Sequence, residues 1–335
     1  MKLSDVSALV RTAIKNQIPV MCWGAPGIGK SAIVHQIATD EKLEMIDLRL
    51  PQLEPTDLRG IPVPDREAGV ARWYIPEFLP RDPESKGILF LDEIEKASIS
   101  VKNAALQLVL DRRIGSYSLP DGWAIVCAGN RDEDGCFSTP LGSALANRMI
   151  HLEVEPDLAT WQEWAKANEV IDDIIGFLEF RSELLHKMLA GENAFPSPRT
   201  WVMASKLIKS GVPEKRQRAL IVASVGKGAA HEFQVWRDIY RNVDVRAILE
   251  GKLPEISEED RSSWYATTMA VVSHVKKKAG VKGHEEGIAG FIDALTPELK
   301  VVFIRQLTRQ SLEKLVEHKA FDKVRKSIFE IATEI

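Results

Sequence analysis

A chain of 335 residues, 45% hydrophobic and 27% charged, is long enough for two or three structural units with full cores and has the make-up of an ordinary globular protein. Its net charge of -4 excludes a general electrostatic pull toward nucleic acid and leaves only local patches open. No apolar run approaches the roughly 20 residues of a membrane span, and the three cysteines, Cys22, Cys127 and Cys136, lack metal-ligand spacing, so a cytoplasmic, reducing setting is expected.

In chain order, Ser4-Asp5 followed by Val6, Leu9, Val10, Ala13 and Ile14 predicts a capped amphipathic helix rather than a signal peptide. The apolar strand Val20-Met21-Cys22-Trp23 then runs into Gly24-Ala25-Pro26-Gly27-Ile28-Gly29-Lys30-Ser31, the Gly-x-x-x-x-Gly-Lys-Ser spacing of a phosphate loop, and a helix carrying Ala32, Ile33, Ile37 and Ala38 follows. The N–H groups of Gly27, Ile28 and Gly29 can point into one concavity, where the start of the following helix adds partial positive charge. Lys30 would reach the β- and γ-phosphates, and the Ser31 hydroxyl would enter the shell of a Mg²⁺ ion. Residues Gly24 to Ala32 are therefore the candidate nucleotide contacts, with Ser31 also a candidate metal ligand.

A second strand is expected at Met45 to Leu48. The Pro-rich stretch from Pro51 to Pro83 holds a hairpin, with Gly60 to Pro64 and Val70 to Tyr74 flanking the turn-like Asp65-Arg66-Glu67-Ala68-Gly69. The third strand, Ile88 to Leu91, ends in Asp92-Glu93, a Walker B pattern in which Asp92 would hold Mg²⁺ and Glu93 would act as general base on the attacking water. A second hairpin is expected over Arg113 to Leu119, turning through Pro120-Asp121-Gly122 into the strand Ala124 to Ala128. That strand ends in Gly129-Asn130; an amide at a strand tip is often a turn residue, and its position after the Asp-Glu strand adds a catalytic reading. A fifth strand is expected at Ile150 to Val154. The pattern is α/β, a P-loop core with a five-stranded parallel sheet.

After Pro156 only helical periodicity remains, for example Ile174, Ile175, Leu178, Phe180 and Leu184-Leu185, interrupted by Phe195-Pro196-Ser197-Pro198-Arg199. A helix from Ser257 to about Val275 with a Ser-x-x-Asp cap, a basic loop from Lys276 to Gly283 and helices around residues 288–333 complete the chain. The expected organisation is a nucleotide-binding core over residues 1–155, a helical lid over 156–250 and a helical C-terminal extension over 251–335.

Taken in order, Gly24 to Ser31, Asp92-Glu93, Asn130, Arg148 and Pro198-Arg199 resemble the motif series of AAA+ ATPases. The two hairpins resemble the insertions of the branch that includes MoxR-type ATPases, magnesium-chelatase subunits, dynein and the replicative MCM helicases. Leu141-Gly142-Ser143-Ala144-Leu145-Ala146-Asn147-Arg148-Met149 is similar to the MoxR element in which a Leu-rich helix delivers an arginine, and Ser197-Pro198-Arg199 to its Ser-Pro-Arg motif. The resemblance covers residues 1 to about 250. It implies that Asn130 is sensor 1, on a strand between the P-loop and Walker B strands, that Arg148 is an arginine finger acting on a neighbour's γ-phosphate, and that Arg199 is sensor 2 on the lid. Arg131 departs from the small or polar residue expected there and is either a second trans-acting arginine or simply solvated.

The resemblance further implies ATP and Mg²⁺ as cofactors and a homo-oligomeric ring, a hexamer. The ring would remodel or activate a protein client in chaperone fashion, with a von Willebrand factor A-like domain as candidate partner and no membrane or nucleic acid. A nucleic-acid motor or loader on the same core is the alternative, against which the acidic balance and the lack of an added DNA-binding motif weigh. A switch that hardly hydrolyses is opposed by Glu93 and Asn130, and no Asn-Lys-x-Asp guanine motif is present. Lys276-Lys277-Lys278 with Lys282 reads as a solvated run or a patch for an acidic partner. Trp161 and Trp164 share a helix face expected in the lid core, whereas Trp73 and Tyr74 in the first hairpin would suit gripping a partner in a ring's pore.

Overall fold

The computed structural model describes residues 1–131, 140–188, 191–257, 259–276, 283–307, 319–322 and 324. Cys136, most of the basic loop after Lys276 and much of the last expected helix lie outside the described residues. The chain divides into two compact units, one formed by residues 1–161 with 197–199 and the other by 162–196 with 200–335.

The first unit starts with α1 (Leu3–Lys15), whose N-cap is Lys2 without a side-chain cap bond. Ser4 and Asp5, expected as the cap, lie inside the first turn, where Asp5 instead sets a negative charge against the positive end of the helix dipole. Val6, Val10 and Ala13 are buried while Leu9 faces outward. The elements that follow are β1 (Val20–Trp23), α2 (Lys30–Glu41), β2 (Glu44–Arg49), α3 (Pro55–Arg59), β3 (Ile61–Asp65), β4 (Val70–Tyr74), β5 (Gly87–Asp92), α4 (Ile99–Asp111), β6 (Arg113–Ile114), β7 (Tyr117–Ser118), β8 (Trp123–Gly129), α5 (Ser143–Ala146) and β9 (Ile150–Glu153).

Five strands form one parallel sheet in the order β2-β5-β8-β1-β9. Apart from Asp92 at the end of β5, its inner strands hold only apolar residues and glycine because both faces are covered, and their side chains alternate between two cores. Leu89, Leu91, Ile125 and Cys127 join one core with α4, while Ile88, Phe90, Val126 and Ala128 join the other with α1 and α2. Cys22 and Cys127 fall in opposite cores, and burial pushes the Cys22 thiol up to about 12 and the Cys127 thiol further up. Both read as small hydrophobes rather than nucleophiles.

β3 and β4 pair antiparallel as an isolated ribbon, with Ile61 opposite Tyr74. Its turn is closed by Asp65, whose Oδ1 accepts from the N–H groups of Glu67 (3.2 Å) and Ala68 (3.0 Å), and by Gly69 at φ 67°. The second ribbon pairs Ile114 with Tyr117, and the Tyr117 hydroxyl donates to the Pro80 carbonyl at 2.8 Å.

The second unit is helical: most of α6 (Leu158–Ala167), then α7 (Asp172–Phe180), α8 (Pro198–Lys209) from Thr200 onward, α9 (Glu214–Val225), α10 (Lys227–Asn242), α11 (Val245–Leu249), α12 (Arg261–Lys276), α13 (Glu285–Ala294) and α14 (Pro297–Gln306). Phe177, Trp201, Phe233 and Trp236 make mutually tilted or edge-on ring contacts at centroid distances of 5.3–5.9 Å, the arrangement aromatic quadrupoles favour. Val271, Val272, Ile288, Phe291 and Phe303 build a further core from α12, α13 and α14. Two expectations are corrected. Trp161 is buried, but Trp164 is 38% exposed on α6. α12 begins at Arg261 rather than near Ser257, because Asp260 rather than Ser257 serves the free N–H groups: its carboxylate accepts from the Ser263 N–H at 3.1 Å and the Ser263 hydroxyl at 2.7 Å. Among the described residues no helix is long and apolar enough to cross a membrane.

Candidate active site

Because β5, β8 and β1 are neighbours in a parallel sheet, their carboxyl ends are neighbours too, and three short sequence signals meet there. β1 leads into Gly24, whose N–H is held by the Gly129 carbonyl of β8 at 3.2 Å. The loop turns through Gly27 (φ 82°) and Gly29 (φ 107°), left-handed positions that a side chain would strain, and a Cβ at Gly29 would point into open space rather than against protein. Gly29 is also the N-cap of α2 and supplies no side chain to its first N–H groups, so these donors face the loop's concavity.

Lys30 folds back over this loop. Its Nζ donates to the Gly24 carbonyl (2.6 Å), the Ala25 carbonyl (3.0 Å) and the Asn130 Oδ1 (2.9 Å). The Ser31 hydroxyl donates to Asp92 Oδ2 at 3.1 Å, so a hydroxyl and a carboxylate from different elements present oxygens to one point. Such a hard-oxygen pair fits Mg²⁺, which typically takes one or two carboxylates and fills its octahedron with water and phosphate oxygens. Among the described residues no group of three or more His, Cys, Asp or Glu is placed to hold a metal. The concave glycine loop, the helix start and the Lys30 ammonium likewise fit a phosphate chain.

Asp92 is half-buried at the end of β5, and burial raises its carboxyl above the ordinary range. The Ser31 hydroxyl and the Glu93 N–H (2.9 Å to Oδ1) oppose that shift, and the charges of Asp47 and Glu93 add to it. Glu93 adopts φ 54°, ψ 35°, a left-handed conformation costing about 1–2 kcal/mol for a residue with a Cβ. The Glu93 carboxylate accepts from Lys96 Nζ at 2.8 Å.

Asn130 stands between the two motifs. Its Oδ1 accepts from Lys30, while its Nδ2 (3.1 Å) and its backbone N–H (2.9 Å) both donate to Oε1 of Glu95. Glu95, in the 3-10 turn Ile94–Lys96, is only 1% exposed, and its carbonyl accepts from Lys102 Nζ at 2.7 Å. Sequence reasoning missed Glu95, since a glutamate between Ile94 and Lys96 after a strand looks like solvent-facing turn. The one trace in the chain is Gly129, where a Cβ would come 2.6 Å from Glu95 Oε2.

Arg148 is exposed just after α5, with its guanidinium donating to the Ala144 carbonyl. Arg199 is exposed at the second position of α8, and its N–H donates to the Gly27 carbonyl at 3.2 Å, which sets Ser197–Arg199 against the phosphate loop. Arg131 is partly buried, and its Nη1 lies 3.9 Å from a carboxylate oxygen of Glu153. Trp23 Nε1 donates to His151 Nδ1 (2.8 Å), leaving the His151 Nε2–H for the Ala146 carbonyl (2.8 Å), so one ring ties β1 to α5.

Residues 20–149 match the family model described as ATPase family associated with various cellular activities (AAA). The chain therefore carries an AAA ATPase domain, and its enzymatic activity is ATP hydrolysis. Similar solved structures include a RuvB mutant from Thermotoga maritima at 18% identity, over 74% of each chain, with a TM-score of 0.42. A second RuvB mutant from that organism matches at 15% over 96% of this chain and 86% of its own (TM-score 0.37). NtrX from Brucella abortus in complex with ADP matches at 12% over 97% and 68% (TM-score 0.33).

Proposed function

We propose that this AAA ATPase domain serves a Mg²⁺-dependent, MoxR-like machine that forms a homo-oligomeric ring, a hexamer, and uses ATP to remodel or activate a partner protein. The observation that carries the reading is the meeting of Lys30, Ser31, Asp92 and Asn130 at the ends of three adjacent strands. A Mg²⁺ ion, when bound, would supply positive charge against the charge that grows on the transferred phosphate. Ser31 and Asp92 are the residues that would hold it. The Gly24–Ala32 segment, through backbone N–H groups such as those of Gly27, Ile28 and Gly29, and the Lys30 ammonium bind and orient the triphosphate. The Glu93 carboxylate takes the proton of the attacking water, and Asn130 orients that water through its amide.

Arg148 is assigned by this reading to the γ-phosphate held by a neighbouring subunit, since it is exposed and makes its hydrogen bond to the Ala144 carbonyl, and Arg199 acts as the sensor that links the nucleotide to the helical part. Residues 156–250 would then be the lid and 251–335 a helical extension. On the first ribbon Tyr74 (66% exposed) shares one face with Ile61 and Val70, and Trp73 (43% exposed) stands on the other, so both faces offer apolar surface for gripping a protein client, a von Willebrand factor A-like domain being the candidate.

The test is Arg148→Ala. Turnover should fall about 10³-fold or more, the range for arginine fingers, while ATP affinity measured by a fluorescent analogue stays within about threefold. A variant that hydrolyses at the wild-type rate removes the trans finger. Turnover stimulated by single- or double-stranded DNA in a salt-dependent way would replace the protein client with nucleic acid.

A further inference from the structure

Asn130 has a terminal amide whose oxygen and nitrogen are nearly the same size, so it acts in one orientation only if its surroundings distinguish them. Lys30 can only donate, whereas Glu95 Oε1 accepts, and the two grip opposite ends of the amide. Glu95 also takes the backbone N–H of Asn130 on the same oxygen, which fixes the direction in which the chain leaves β8. The environment is arranged around this carboxylate. Glu95 is buried, its own carbonyl is pinned by Lys102, and position 129 is a glycine where any Cβ would collide with its second oxygen.

The Lys30 bond cannot be the lasting constraint. In the reading above Lys30 serves phosphate oxygens during turnover, which leaves Glu95 as the group that keeps the amide oriented at the moment its oxygen is needed. We propose that Glu95 is a positioning residue for hydrolysis, acting through Asn130: it holds Nδ2 and presents Oδ1 to the attacking water. It touches neither nucleotide nor metal. The inference rests on the proposed role of Asn130, and the experiment separates the two.

The variants are Glu95→Met, which keeps the volume and removes the acceptor, Glu95→Gln, which keeps an acceptor oxygen, Asn130→Ala, and the double variant Glu95→Met with Asn130→Ala, all in the full chain with Mg-ATP. For Glu95→Met, kcat should fall about 10- to 100-fold, the range for partners that orient a functional group, with KM and nucleotide affinity within about threefold. Glu95→Gln should stay within about threefold of wild type. The double variant should be no slower than Asn130→Ala, because a residue that acts only through another has nothing left to lose. Multiplicative losses in the double variant overturn the proposal, as does a Glu95→Gln as slow as Glu95→Met. An active wild type with an equally active Asn130→Ala overturns the role of Asn130 and, with it, that of Glu95. If Glu95→Met does not fold, Glu95→Gln and Gly129→Ala carry the test. Gly129→Ala, which crowds the carboxylate, must then lower kcat without raising KM, and unchanged turnover in it overturns the proposal.

Discussion

At Asp92 a carboxylate is held where burial disfavours its charge, and Ser31 and the Glu93 N–H offset only part of that. A group whose folded-state pKa lies above its unfolded value stabilises the fold fully below the unfolded pKa and loses that contribution as pH rises through the folded one. Ionised Asp92 in metal-free protein is therefore a destabilising element at neutral pH. Asp92→Asn should raise the melting temperature at pH 7 in EDTA while abolishing Mg-dependent turnover. The gain should shrink as pH falls toward the carboxyl's ordinary value of about 4 and vanish below it. A melting temperature that drops at pH 7, or a gain independent of pH, would show that the Asp92 charge is not strained. The left-handed Glu93 next to it is a second local cost at the same point, and the two together mark this strand end as shaped for a ligand rather than for stability.

The elements differ in how far the chain announced them. β1, β5 and β8 were legible because their apolar runs are buried on both faces and end in glycine, paired acids and an amide. The order of motifs along the chain, combined with parallel pairing, is enough to bring Lys30, Asp92 and Asn130 to one edge. What was not legible depends on burial that no local pattern encodes. Glu95 carries the composition of a surface turn and becomes a core residue only because α4 and β8 close over it, and Asp260 displaced Ser257 as a cap for reasons set by where α12 packs. At β8 packing and site geometry coincide in Gly129, where a Cβ would lie 2.5 Å from Met21 Cε, 2.6 Å from Glu95 Oε2 and 3.1 Å from Trp23. Gly129→Ala should therefore destabilise the first unit by about 1–3 kcal/mol, as overpacking does, read by chemical denaturation of the core's tryptophan signal. A change under about 0.5 kcal/mol would mean that these neighbours yield freely.

On the scale of the whole molecule, a single chain brings together a phosphate loop, the Ser31–Asp92 pair and the Asn130 amide, while Arg148 is exposed and bonded to the Ala144 carbonyl. An arginine that completes a neighbour's site makes a specific stoichiometric demand. Glu93→Gln retains Arg148 but lacks the base, whereas Arg148→Ala retains the base but lacks the finger, so each alone should be nearly inactive. In a closed ring assembled from equal amounts of both, an interface is productive only where an Arg148→Ala subunit, with its intact Glu93, meets a Glu93→Gln subunit supplying the arginine. With random order and independent sites that happens at about a quarter of interfaces, so mixing should restore about a quarter of the wild-type rate per subunit. The recovered rate should also rise with total protein concentration until assembly is complete, because the heterologous contact is itself the catalytic unit. A mixture no more active than the sum of its parts would mean that Arg148 serves its own chain, and the ring would then have to be justified without it.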